Sequence, residues 1–261
     1  MKAANRMKWK RVMTNVVAAT VLASAPTARA EEPGWQFRIA PYAWGLGIKG
    51  DVGVGALVAP VDVEFLDAIE DLDLAGMLAA EANNGTFGVL LNGMYMKLGS
   101  RSDTPSGSLD VDVEEWVFEA CAVYRVVKSA KTSVDAGLGA RTKGIEITLD
   151  PARGEGDVGK SKQWTDPILV ARVRQQLTEK WFGMVTGDVG GFGSASDLTW
   201  SVTAATGYAF NDTVAALFGY RYLDCDYEDG AFTFDAAESG LALGLQFQDR
   251  KSTRLNSSHT D

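Results

Sequence analysis

Hydrophobic and polar positions alternate with a period of two along most of this chain. Leu241, Leu243, Leu245 and Phe247 alternate with Gly240, Ala242, Gly244 and Gln246. Trp116, Phe118, Ala120, Ala122, Tyr124 and Val126 alternate with Glu115, Val117, Glu119, Cys121, Val123 and Arg125. Leu198, Trp200, Val202, Ala204, Tyr208 and Phe210 do the same against Thr199, Ser201, Thr203, Ala205, Gly207 and Ala209. Successive side chains of a strand point to opposite faces, so each segment has one bulky apolar face and one that is small, polar or charged. The pattern predicts ten strands, at about 35–48, 73–82, 86–99, 109–127, 132–148, 163–177, 181–192, 197–210, 213–227 and 232–248, with eight or twelve as alternatives.

Soluble antiparallel sheets alternate in the same way, so strand length and turn pattern decide the environment. Most of these segments exceed the ~5–6 residues usual in soluble sheets and reach the ~9–11 that a tilted membrane span needs. Short polar turns at Asn83-Asn84-Gly85, Lys128 to Lys131, Thr178-Glu179-Lys180 and Asn211-Asp212 alternate with longer links at 49–72, 100–108, 149–162, 193–196 and 228–231. All short turns then fall at one end, together with both termini, which is the asymmetry of bacterial outer-membrane barrels. The fold class expected is all-β, a transmembrane antiparallel up-and-down β-barrel with periplasmic termini. Closure is required because hydrocarbon cannot satisfy the edge groups of an open sheet. Trp35, Phe37, Trp181, Tyr208, Phe210, Tyr222 and Phe247 lie near strand ends and fit interfacial girdles. Within the first long link, Phe65 to Leu72 has apolar residues at helical spacing and predicts two turns of amphipathic helix, resting on the rim or plugging the mouth.

The ends change the picture. Lys2, Arg6, Lys8, Lys10 and Arg11 precede an apolar run from Val12 to Ala25, Pro26 breaks it, and Ala28-Arg29-Ala30 offers a cleavage site. Residues 1–30 therefore read as a secretory signal peptide, and 31–248 as the barrel. The tail at 249–261 contains RKSTRLNSSH, which resembles translated sequencing-adaptor read-through and is set aside as non-native. Of the 25 basic and 34 acidic residues of the whole chain, 16 and 32 remain between these ends, a net charge of −16. So acidic a body lacks the basic footprint of a nucleic-acid partner. Cys121 and Cys225 are the only cysteines, and in an exported chain they are a possible bridge but no disulfide framework.

Several motifs resemble those of an uncharacterised family of Gram-negative outer-membrane barrel proteins. They are Trp164-Thr165-Asp166-Pro167, GDVGGFG at 187–193 followed by Ser196-Asp197, Gly219-Tyr220-Arg221, and the closing GLALGLQF at 240–247. Tyr42-Ala43-Trp44 with Gly50 beyond it is a weaker match near the start. The last strand also looks like a barrel-assembly signal: Gly244 and Phe247 fit it, but Asp249 stands where a terminal aromatic is due. The resemblance implies a scaffold in the cell outer membrane and no particular chemistry. Its implied partners are outer-membrane lipid, lipopolysaccharide and the barrel-assembly machinery.

Candidate chemistry is sparse. GLGIKG at 45–50 matches G-x-G-x-x-G, but Asp51 to Gly55 is no helix start, so the motif reads as a flexible glycine-rich rim. His259 is the only histidine and lies in the set-aside tail, so no histidine general base is available and no enzyme activity or cofactor is expected. The glycines of GDVGGFG suit either an anion nest or a tight bend, with the bend favoured. Asp224, Asp226, Glu228 and Asp229 match no defined calcium loop and read as a solvated acidic loop.

Strand alternation points one set of charges into the lumen: Arg38, Glu81, Glu115, Glu119, Arg125, Asp135, Arg141, Lys143, Asp166, Arg172, Arg174, Asp188 and Arg221. In a narrow barrel these would pair, because a dry lone charge is costly. The expected function is an outer-membrane scaffold or surface protein with a charge-filled lumen. The alternatives are a small porin selecting ions at those charges, and an adhesion or partner-binding protein acting through 49–72 and 149–162.

Overall fold

The computed structural model describes residues 34–54, 57–63, 72–104, 107–151, 158–230 and 232–249. The expected signal peptide, the amphipathic turns from Phe65 to Asp71 and residues 250–261 lie outside the described residues.

The strands are β1 (Gln36–Trp44), β2 (Gly47–Val54), β3 (Leu57–Val63), β4 (Leu72–Asn83), β5 (Phe87–Thr104), β6 (Gly107–Lys128), β7 (Thr132–Pro151), β8 (Val158–Gln176), β9 (Trp181–Gly190), β10 (Leu198–Ala209), β11 (Val214–Asp229) and β12 (Phe232–Asp249). Ten of them, β1 and β4 to β12, close into an antiparallel ring, with β1 hydrogen-bonded to both β4 and β12. The ring matches the expected fold class and strand number.

The first long link departs from the loop expected there. Residues 49–72 are not one loop: β2 and β3 form a hairpin that adds to the upper half of β12. The strand expected at 35–48 breaks at Gly45 and Leu46. The Gly45 N–H donates to the Leu241 carbonyl at 2.7 Å, and Leu46 turns inward to 3% exposure. GLGIKG therefore includes a paired strand and no flexible rim. Glycine is required at Gly50, where a Cβ would lie 2.2 Å from the Asp235 carbonyl.

The links at 100–108 and 149–162 are also largely strand, because β5 runs to Thr104, β6 starts at Gly107, β7 runs to Pro151 and β8 starts at Val158. Their Gly, Ser, Asp and Pro content favours turns, but in-register pairing such as Ser100 with Val111 overrides that local preference. Similarly, Asp224 to Asp229 belongs to β11 and not to a loop. The 22 residues of β6 and 20 of β7 are about twice a membrane span. The sheet therefore projects well past the barrel's membrane band at the end opposite the short turns.

Side-chain carbonyl and hydroxyl groups build those turns. The Asn84 side chain accepts from the Thr86 and Phe87 N–H groups, Asn211 from Thr213 and Val214, and Thr178 from Lys180 and Trp181. Gly85 supplies the positive φ of 83° that completes the first turn.

Facing outward is an apolar belt that includes Phe37, Ile39, Leu78, Leu138, Leu169, Phe218, Leu241 and Leu243, with Leu138 at 65% exposure. A belt of this extent is an anomaly in water and the ordinary surface of a barrel in lipid. Phe87–Tyr124, Trp181–Tyr208 and Tyr208–Phe210 ring pairs, with centroids 5.3, 5.0 and 5.5 Å apart, gather beside the short turns. Trp200 and Tyr222 pair farther up at 4.8 Å.

Candidate functional site

The lumen holds the candidate site, and its charges lie in three tiers. Nearest the short turns, Arg38 is directly opposite Glu81, and Asp135 stands between Arg125 and Arg172 on neighbouring strands. The Arg38 guanidinium bonds Glu81 at 3.0 Å and Gln248 at 2.9 Å, and Arg125 bonds Asp135 at 2.8 Å. Arg172 donates to Asp135 at 2.7 Å and reaches across the lumen to Glu81 at 2.8 Å. Arg174 lies over the Phe182 ring, 3.8 Å from its centroid.

In the middle tier, Glu119 accepts from Arg141 at 2.7 Å, from Arg221 at 2.9 Å and from Asn92 at 3.0 Å. Arg141 also donates to Asp188 at 2.7 Å and Thr199 at 3.0 Å. Tyr42 donates to Asn92 at 2.9 Å and accepts from Arg221 at 3.2 Å.

The upper tier centres on Lys143, which pairs with Glu115 at 2.8 Å and with Glu238. Beside it, Asp166 accepts from the Ser196 N–H at 2.8 Å and its hydroxyl at 2.6 Å. Ser196 is brought there by the GDVGGFG segment, which bends sharply with positive φ at Gly191, Phe192 and Gly193. The N–H groups of Gly191, Gly193 and Ser194 are spent on Pro167, Ser196 and Gly191 carbonyls, so the segment is a bend with an exposed tip at Phe192 and no anion nest. Of the acids on β11, Asp229 pairs with Lys162 and Asp224 accepts from Tyr222.

The charged residues assigned to the lumen from alternation are all buried or half-buried, with Lys143 and Asp166 each only 1% exposed. Glu238, at 0% exposure, escaped that reading although it shares the parity of Gly240, Ala242, Gly244 and Gln246. Including it, the tiers contain seven basic and seven acidic groups, formally neutral inside a strongly acidic chain. The distribution is polarised: four arginines face two carboxylates in the tier nearest the short turns, while one lysine shares the upper tier with three.

Apolar layers interleave with the charges. Trp44, Leu46, Met77, Met94, Met96, Val117 and Leu223 form one buried cluster. A second joins Ile145, Trp164, Cys225, Tyr227, Phe232, Phe234 and Ala236, with Trp164 and Tyr227 stacked at 4.2 Å. Cys121 and Cys225 are buried free thiols. Between the lower and middle tiers lies a cavity of about 230 Å³.

No family model matches the chain, and neither does any curated protein. Solved structures do. The outer-membrane protease OmpT from Escherichia coli superposes with a TM-score of 0.57 at 10% identity, covering 83% of this chain and 97% of that one. The fold is that of an outer-membrane β-barrel. The attachment invasion locus protein Ail of Yersinia pestis matches at 0.37 and 12% identity over 83% of this chain and 99% of its own. Neisserial surface protein A matches at 0.35 and 14% identity over 82% and 98%. In this barrel the apolar belt faces lipid, and the long sheet extension rises on the side opposite the short turns.

Proposed function

We propose that this barrel resides in the cell outer membrane as an electrically closed scaffold that carries its sheet extension at the cell surface. The observation supporting closure is that ion pairs cross the full width of the lumen. Arg221 on β11 bonds Glu119 on β6, and Lys143 on β7 pairs with Glu238 on β12. Each pair joins strands five places apart in a ring of ten, so the partners come from opposite walls. A ring of this size is near the limit that side chains alone can fill, and the two apolar clusters occupy space beside the crossing pairs.

Catalysis is not part of this reading. OmpT is a protease, but at this identity the likeness extends to the fold alone. The serines that touch carboxylates here, Ser196 on Asp166 and Ser201 on Asp188, are only 0% and 5% exposed, out of reach of a polymeric substrate. On this reading outer-membrane lipid and lipopolysaccharide surround the apolar belt, and the barrel-assembly machinery inserts the chain.

The test is planar-bilayer conductance of the refolded, heat-modifiable barrel. A folded protein giving no discrete current steps supports the closed scaffold. Steady, ion-selective steps would overturn it in favour of a small porin.

A further inference from the structure

The cavity between the lower two tiers has chemistry of its own. Its lining includes Arg38, Arg172 and Arg174 toward the short turns and Arg221 toward the middle of the barrel, together with three carboxylates, Glu81, Glu119 and Asp188, each already paired with an arginine. Between these ends the wall is mostly apolar, with Leu90, Ile168, Val170, Met184 and Leu217 among its side chains.

Two cationic groups there have unused capacity. Among the described residues Arg174 has no carboxylate within ion-pair distance and is held only by the face of Phe182. Arg221 is 6% exposed, and its Nε has no hydrogen-bond acceptor, although its other nitrogens bond Tyr42 and Glu119. Uncompensated charge in a dry site is costly and calls for a counter-anion. Guanidinium is the side chain best matched to a planar carboxylate.

Size and wall polarity narrow the class. A dry apolar cavity of about 150 Å³ admits benzene, so this larger one has room for a ring together with a carboxylate.

From these observations we infer that the cavity is a binding site for a small amphipathic monocarboxylate. Its carboxylate is anchored by Arg174, and its apolar body lies against Leu90, Ile168, Val170 and Met184. Because Arg174 stands two residues from the end of β8, beside the 177–180 turn, the ligand enters from the short-turn side, the periplasmic end of such barrels. The site thus supplies a role for the surplus positive charge of the lower tier.

The experiment is isothermal titration calorimetry on the full chain, refolded in detergent and shown to be heat-modifiable. Phenylacetate is the probe, 2-phenylethanol its neutral counterpart and inorganic phosphate the anion without an apolar body. Phenylacetate should bind saturably, with the other two at least tenfold weaker. Arg174→Gln should lose at least tenfold for phenylacetate while remaining heat-modifiable. Absence of saturable phenylacetate binding would overturn the inference, as would equal binding of phenylethanol or phosphate, or undiminished binding by the folded variant. Conductance and binding fail separately: a barrel that conducts yet binds phenylacetate loses the closed reading and keeps this site.

Discussion

Arg221 and Glu119 meet at 2.9 Å although their strands, β11 and β6, stand on opposite sides of the ring. The same Glu119 oxygen also accepts from Arg141 at 2.7 Å, so a single carboxylate holds two guanidinium groups. The wall-to-wall link and the local cross-strand link are therefore one network.

That sharing sets the cost of losing Glu119. In Glu119→Ala, Arg221 retains only Tyr42 and the face of Trp44, and Arg141 must rely on Asp188 and two hydroxyls. Breaking a buried pair by removing one partner costs about 3–5 kcal/mol. Urea unfolding followed by the heat-modifiable gel shift should show a loss of that size for Glu119→Ala. A loss below about 1 kcal/mol, the scale of an exposed pair, would show that water screens the tier.

The upper tier predicts an asymmetry. Lys143 is the single cation shared by two carboxylates, Glu115 and Glu238, whose side chains are only 2% and 1% exposed. Lys143→Met strands both and should cost about 3–5 kcal/mol. Glu238→Gln leaves a balanced Lys143–Glu115 pair and keeps an amide that can accept from the lysine, so its cost should stay near the ~1 kcal/mol of an ordinary hydrogen bond. The same unfolding assay compares the two, and equal losses would contradict the charge count.

How much of this was legible from the sequence follows from what period two encodes. Parity alone assigns Arg141 to the inner face and Leu138 to the outer, and it holds for Glu238 as well. It carries no information on height or on partners across the ring. Nothing in the spacing of Arg221 and Glu119, which are 102 residues apart, announces their contact, because that depends on strand stagger and closure. The β2–β3 hairpin was missed for a different reason: its glycines and Pro60 look like loop chemistry, and only pairing with β12 makes them strand. Loops lack a period altogether, so the burial of Ser196 beneath the 191–195 bend had no signal beyond the adjacent glycines.

Gly207 predicts a coupled effect. A Cβ at this position would lie 2.1 Å from the Phe182 ring, the same ring that carries the Arg174 guanidinium. Gly207→Ala must push Phe182 aside, and overpacking of this kind costs about 1–3 kcal/mol. Displacing the ring also withdraws the platform under Arg174. The variant should therefore lose stability in urea and shift the Met184 methyl resonance in methyl-TROSY spectra, because the ring current of Phe182, two residues along the same strand face, moves with the ring. An unshifted Met184 would show that the ring and its cation move independently.

The thiols report on whether the upper lumen is sealed. Cys225 is 3% exposed, lies within the aromatic cluster of Trp164 and Phe234, and its sulfur sits 3.4 Å from the Ser196 hydroxyl. Reaching it from the extracellular side requires lifting the bend that Asp166 anchors through two hydrogen bonds to Ser196. In a Cys121→Ser background, a charged maleimide should therefore leave Cys225 unmodified in the folded barrel and label it fully after heating. Asp166→Ala removes both anchors, so it should raise the labelling rate of the folded protein at least tenfold without abolishing the gel shift. Rapid labelling before heating, in protein that still runs as folded, would mean the bend is no seal and the upper lumen is open to water.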